Sequence, residues 1–270
     1  MTDVVMVIVM SKEQEQERAK GVMEVKKYRT PDGIPADIVM FTLTRQERKA
    51  STKSLPRFDL KVMLIRRRSW PFAGAWALPG GFCQEDESLY ETARRELKEE
   101  TGVDGHHLEY LGVYSKPGRD PRGWIISHAF FALVEEWVIE KRQAADDAQE
   151  VGLFPVREAL DELQLAFDHR EILQDAYLRI QQQMLHTTIA KQFLPPHFTL
   201  GELYQVIQTV VPDFAELNFI RKITSTRSRQ GILEEVHDEN GKPMLSNQYS
   251  QRPAQLYRFT DFTPQLSIYT

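Results

Sequence analysis

The apolar residues of this chain change period along its length, and the changes outline its elements. Two runs, "ADIVMFTLT" (36–44) and "FDLKVMLIRR" (58–67), have the β-branched and aromatic enrichment of buried strands. The charged "RQERKASTKSLPR" between them predicts an exposed loop. "GAWALPGGF" supplies a strand end and a Pro-Gly-Gly turn. From Asp86 to Thr101 the period becomes helical. Leu89, Ala93 and Leu97 recur every four residues as a narrow apolar stripe, and Gly102 stands where a left-handed cap is expected. "LEYLGVYS" (108–115) and "WIISHAFFALV" (124–134) predict two more strands, joined by "GRDPRG". After the "RQAADDAQEVGLFPV" stretch the chain turns helical over "REALDEL" and "DHREILQDAYLRIQQQMLHTTIAKQFL", ending at Pro195 and Pro196. Ahead of all this, residues 11–28 read as a polar helix and "RTPDGIPAD" as a turn-rich connector.

A second pattern begins at Phe198. Thr199 and Glu202 have the spacing of a capping box and open the helix "LGELYQVIQTVV". A further short helix is expected around "AELNFIRKITSTR", with Asn218 as its N-cap. "GILEEV", an Asn240-Gly241 turn and "AQLYRFTDF" follow. Helices followed by strand, turn and strand describe a winged helix-turn-helix. The chain therefore divides into an N-terminal helical extension (1–32), an α/β domain (33–157), a helical connector (158–196) and a winged-helix domain (197–270).

Composition narrows the chemistry. The 270 residues are 41% hydrophobic and 27% charged, enough for one large or two modest domains. A net charge of −5 argues against wholesale coating by nucleic acid, while leaving room for a local basic patch. The single cysteine, Cys83, excludes an intrachain disulfide and suits a reducing compartment; with no cation beside it in sequence, it reads as a packing residue. The apolar start "MTDVVMVIVM" is too short to span a bilayer and lacks the basic flank of a signal peptide, so a cytoplasmic protein without membrane attachment is expected.

One stretch defies ordinary helix economy. In "GGFCQEDESLYETARRELKEETGV" (80–103), Glu96, Glu99 and Glu100 sit at i, i+3 and i+4, on one helical face. Like charges so spaced destabilise a helix by roughly 0.2–0.5 kcal/mol per pair. A cation would offset that repulsion, and magnesium prefers such hard oxygen ligands together with substrate phosphates. The preceding Gly80-Gly81 turn lets backbone approach closely. The plainer alternative is a solvated acidic helix.

The spacing settles which reading to pursue. Gly81, five residues, Glu87, seven residues, then Arg95-Glu96-Leu97-Lys98-Glu99-Glu100-Thr101-Gly102-Val103 resembles a complete Nudix box. The resemblance implies an α+β fold, a Nudix α/β/α sandwich with a mixed sheet ahead of the winged helix. It also implies hydrolysis of a nucleoside diphosphate derivative with Mg²⁺ or Mn²⁺. Carried over by position, Glu96, Glu99, Glu100 and the Gly80 carbonyl would be metal ligands. Arg95 would orient the glutamates and Glu87 would support them near the helix start. Glu99 or Glu100 would assist catalysis, with Asp147 and Glu150 as other candidates for the base.

"SKPGRDPRGWIISHAFFAL" is similar both to bacterial ADP-ribose pyrophosphatases and to the NrtR-type regulators of NAD metabolism. Arg119, Asp120 and Arg122 would then meet the substrate, with Arg66 at the end of a strand as a further phosphate contact. Phe72 and Trp76 are stacking candidates, or core. The second likeness continues through "AFDHREILQDAYLRI", "FTLGELYQVIQ" and "RPAQLYRF", and implies a homodimer that binds duplex DNA and releases it on binding ADP-ribose. From Phe198 onward seven Lys/Arg face eight Asp/Glu, a net of −1, and "EEVHDENGKP" is an acidic wing. Arg221, Lys222, Arg227 and Arg229 nevertheless cluster where a recognition helix would end. Two functions stand: first an ADP-ribose pyrophosphatase yielding AMP and ribose 5-phosphate, second an ADP-ribose-responsive regulator with little turnover.

Overall fold

The computed structural model describes residues 29–46, 54–102, 107–137, 150–214, 231–249 and 252–261. Met1–Pro31 and Asp32–Thr270 are separate compact units. In the first, residues 29–31 are neither helix nor strand, and the helix expected at 11–28 lies outside the described residues.

Asp32–Thr270 is built on a mixed sheet. Its strands are β1 (Pro35–Arg45), β2 (Phe58–Arg66), β3 (Trp76–Ala77), β4 (Gly80–Phe82), β5 (His107–Tyr114), β6 (Ser127–Leu133) and β7 (Val151–Pro155). The order is β3-β2-β1-β6-β5, with β4 added to β1 and β7 to β2; β1 and β6 run parallel. Helices cover both faces, which is why β1 is buried without a break from Pro35 to Thr42. Ile38 and Met40 pack with Ala93 and Leu97 of helix α1 (Leu89–Thr101), whereas Val39 and Phe41 join the core on the other side. That second core holds Val156 and Ala159 of α2 (Val156–Asp161) and Ile172, Leu173, Ala176, Ile180 and Met184 of α3 (His169–His186).

Among the differences from the sequence reading, two helix boundaries have a local reason and one strand is missing from the expectation. Helix α1 starts at Leu89, not Asp86, because Ser88 caps it: the Ser88 hydroxyl accepts from Glu91 N–H and the Glu91 carboxylate accepts from Ser88 N–H. Gly102 closes it at φ 70°, as expected. The long helix predicted through Leu194 stops at His186. Thr187 turns extended and gives its hydroxyl to the Gln183 carbonyl, and a separate 3-10 turn follows at Ile189–Phe193. Strand β7 was hidden in a stretch with Gly and Pro among its five residues, and its place is set by pairing with β2.

The C-terminal module contains β8 (Phe198–Thr199), α4 (Leu200–Val210), β9 (Leu233–Glu235), β10 (Leu245–Ser246) and β11 (Ala254–Phe259). Strand β11 pairs antiparallel with β8, β9 and β10. The Thr199/Glu202 capping box is formed, and Gly241 makes its turn at φ 74°. The second helix, with Asn218, Arg221, Lys222, Arg227 and Arg229, lies outside the described residues.

No gap in the core separates this module from the rest. Phe198, Leu203, Ile207 and Val210 share one apolar cluster with Val39, Phe131, Ile172 and Ile180. Helix α3 lies between. Asp175 accepts from the Tyr114 hydroxyl (2.8 Å), Gln183 donates to the Glu109 carboxylate (2.6 Å) and Gln181 donates to the Val210 carbonyl (3.0 Å). Among the described residues no helix is long and apolar enough to cross a membrane.

Candidate active site

Helix α1 answers its own charge problem with Arg95. This guanidinium donates to Glu87 through Nε (2.6 Å) and Nη2 (3.1 Å), to Glu96 through Nη1 (2.6 Å) and to the Phe82 carbonyl (3.3 Å). Glu99 is its more distant acceptor at 3.5 Å. These bonds hold the Glu87 carboxyl at about 2, well below the usual carboxylate range, and raise Arg95 further. Ser88, Glu87 and Arg95 thus fix the helix start, and Arg95 aims Glu96 back at β4.

Gly81 is where Glu96 arrives. A Cβ on Gly81 would overlap the Glu96 carboxylate, and one on Gly80, at φ 151°, would overlap the Ala36 carbonyl. The two glycines therefore serve two close approaches, one by a side chain and one by the neighbouring strand. Glu96 is nearly enclosed, whereas the Glu99 side chain is 59% exposed one turn on. Glu100 is half-buried. Among the described residues no three His, Cys, Asp or Glu side chains converge tightly enough to hold a metal ion. The donor chemistry nonetheless fits a hard divalent ion: carboxylate oxygens only, one of them oriented by Arg95 over a position without a Cβ.

A cavity of about 130 Å³ opens beside β4. Gly80, Gly81 and Phe82 form one wall, and Arg67, Arg119, Asp120, Arg122, Phe167 and His169 complete it. The "GRDPRG" loop thus reaches the box, but its residues do different things. Arg119 is interior, bidentate to Asp168 (2.8 and 2.5 Å) with Asp37 at 3.6 Å. Asp120 is buried and accepts from Arg122 side chain and backbone (2.6–3.1 Å). Arg122 is the one of the three with a partly exposed side chain, 34%, and its guanidinium lies over Phe82 (5.1 Å) and Phe167 (5.5 Å).

Arg66 is placed elsewhere. It pairs with Glu150 (3.0 Å), lies over the Trp76 ring (5.9 Å) and does not line the cavity. Asp147 lies outside the described residues. Trp76 packs edge-on against Phe154, and Phe72, 40% exposed, packs edge-on against Phe167. Cys83 is a partly buried thiol that donates to the Glu87 carbonyl.

Sequence reading passed over Arg67, Asp37, Phe167, Asp168 and His169. Strand alternation carried a signal for Arg67: Ile65 and Arg67 point into the cavity and Arg66 away. The others sit in core-like or connector sequence. His169 is fully buried, its Nδ1 accepting from Leu78 N–H (2.9 Å), and burial lowers its pKa, so it is neutral near pH 7.

Residues 49–176 match the NUDIX domain model. The chain is 34% identical over 209 residues to the ADPR responsive transcriptional repressor NtrR of Acinetobacter baylyi, covering 76% of this chain and 78% of that one. It is 44% identical over 121 residues to an ADP-ribose pyrophosphatase of Methanocaldococcus jannaschii, covering 45% and 68% respectively. The crystal structure of Shewanella oneidensis NrtR with a 27mer DNA superposes with a TM-score of 0.66 at 28% identity, over 87% of this chain and 98% of that one. With likeness spanning sheet, connector and C-terminal module, the chain belongs to the Nudix family, as one of its NrtR-type members.

Proposed function

We propose that the cavity beside the Nudix box binds ADP-ribose, and that this binding controls attachment of the C-terminal module to duplex DNA. One observation carries this reading: the NtrR likeness covers 76% of the chain and the NrtR superposition 87%, whereas the pyrophosphatase likeness covers 45%. We therefore put the regulator reading first, where the sequence alone put hydrolysis first. The shared core supports it physically, because His169, the first residue of α3, lines the cavity and Gln181 further along the helix bonds to α4. A ligand that prefers one arrangement of that helix shifts the module with it.

Hydrolysis is the second reading, and the ordered glutamate face favours it. Glu96, Glu99 and Glu100, with the Gly80 carbonyl, would hold Mg²⁺ or Mn²⁺, which supplies charge neutralisation at the diphosphate. Arg95 keeps Glu96 aimed at Gly81, and Glu87 keeps Arg95 in place. Arg122 offers the diphosphate a guanidinium. Water would attack one phosphorus of the diphosphate while the P–O bond to the bridging oxygen breaks, Glu99 or Glu100 would take the water's proton, and AMP and ribose 5-phosphate would leave.

The test uses the full chain. Duplexes that it binds are selected from a random library, and their retention is then followed as ADP-ribose is added, with AMP measured in the same tubes. Release from DNA without AMP supports the regulator. Rapid AMP formation with no DNA selected supports the hydrolase, and Glu99→Gln should then cut turnover by orders of magnitude.

A further inference from the structure

Phe167 is unusual on three counts. Its φ is 51°, and the one other non-glycine with positive φ among the described residues is Phe72 at 60°. A bulky residue there is a genuine outlier that the surroundings must sustain. The two rings touch edge-to-face, centroids 4.8 Å apart, and Phe167 lines the cavity. The Phe167 ring also carries two cations: the Arg67 guanidinium at 4.9 Å and that of Arg122 at 5.5 Å.

Two guanidiniums on one ring repel each other, and the carboxylates nearby do not serve them equally. Asp120 is bonded to Arg122, and Asp168 is bonded to the interior Arg119. Asp37 accepts from Ser127 (2.5 Å) and lies by Arg119 and His169. Arg67 gives its Nε to a neutral acceptor, the Pro71 carbonyl (2.6 Å). Burial, with the nearby charge of Arg122, lowers its pKa. A ring face attracts each cation without neutralising either. The result is a cationic pair beside the 130 Å³ cavity, with Arg122 also bonded to Asp120 and Arg67 bonded to a neutral carbonyl.

We propose that Arg67 and Arg122 form a diphosphate-binding pair, and that Phe167 is the positioning residue that holds them together. This rests on the reading of the cavity as an ADP-ribose site and adds to it a residue from the connector. Phe167 precedes Asp168 and His169, the start of α3, so an anion that draws the two guanidiniums together acts on the helix that leads to the C-terminal module.

The experiment measures binding of inorganic pyrophosphate, with divalent metal chelated, and of ADP-ribose with Mg²⁺, by calorimetry on the full chain. Phe167→Leu keeps a large apolar side chain, somewhat smaller than Phe, and removes the π face. It is expected to weaken pyrophosphate and ADP-ribose by a similar factor, about tenfold, while Phe167→Tyr restores both. Arg67→Gln, which leaves Phe167 packed, should give a similar loss, and the double variant should lose less than the product of the two. Unchanged pyrophosphate affinity in Phe167→Leu and in Arg67→Gln overturns the inference. So does full multiplicativity of the two losses. If the parent binds pyrophosphate in this way but not ADP-ribose, the ADP-ribose reading fails while the anion pair stands.

Discussion

Single residues at this site are constrained by one another more than by their own propensities. Gly81 shows it. Glu96 occupies the space of its absent Cβ, so Gly81→Ala should push Glu96 off its place and lower Mn²⁺ affinity at least tenfold in an electron-spin-resonance titration, with the fold kept. An unaltered affinity would remove Glu96 from the metal site. His169 makes a pH prediction. Its folded pKa lies below the ordinary 6.5, so its stabilising contribution is complete above about 6.5 and is lost as pH falls below that value. Denaturant titrations should show stability dropping on acidification, and His169→Asn, which keeps an acceptor for Leu78 N–H, should flatten the drop; equal slopes would contradict this. At this scale the sequence was readable where a motif fixed spacing, as for Glu87, Arg95 and the glutamates. It was opaque for Phe167, whose positive φ and paired cations are tertiary facts with no local pattern behind them.

Elements were legible where periodicity and caps agreed. Strands β1 and β2, helix α1 with Gly102, and the Thr199 capping box all follow from residue order. Strand β7 did not, because pairing with β2 creates it, and α3 ended early because Thr187 redirects its hydroxyl and backbone. Helix α3 also has a role that its sequence conceals: its apolar face belongs to the sheet core and to the C-terminal module alike. Ile180, fully buried there, tests this. Ile180→Ala should cost about 2–5 kcal/mol, the usual range for emptying a core site. It should lower the unfolding midpoints reported by the sheet and by the C-terminal module together. A loss confined to one of them would argue against a common core.

On the scale of the whole molecule, one continuous apolar cluster joins the proposed ADP-ribose site to the C-terminal module. The resemblance seen in sequence reached the same two modules, but it could not say that they share a core, since that depends on which faces of α3 and α4 meet. A ligand that binds only the folded chain stabilises it by about 2.7 kcal/mol at a hundred times its dissociation constant. In this chain that gain should be felt by both modules. The most direct measurement is a calorimetric titration of the full chain with ADP-ribose in Mg²⁺. The account predicts saturable binding of one ADP-ribose per chain, weakened about tenfold by Arg67→Gln. No heat, and no rise in unfolding temperature at millimolar ADP-ribose, would contradict it.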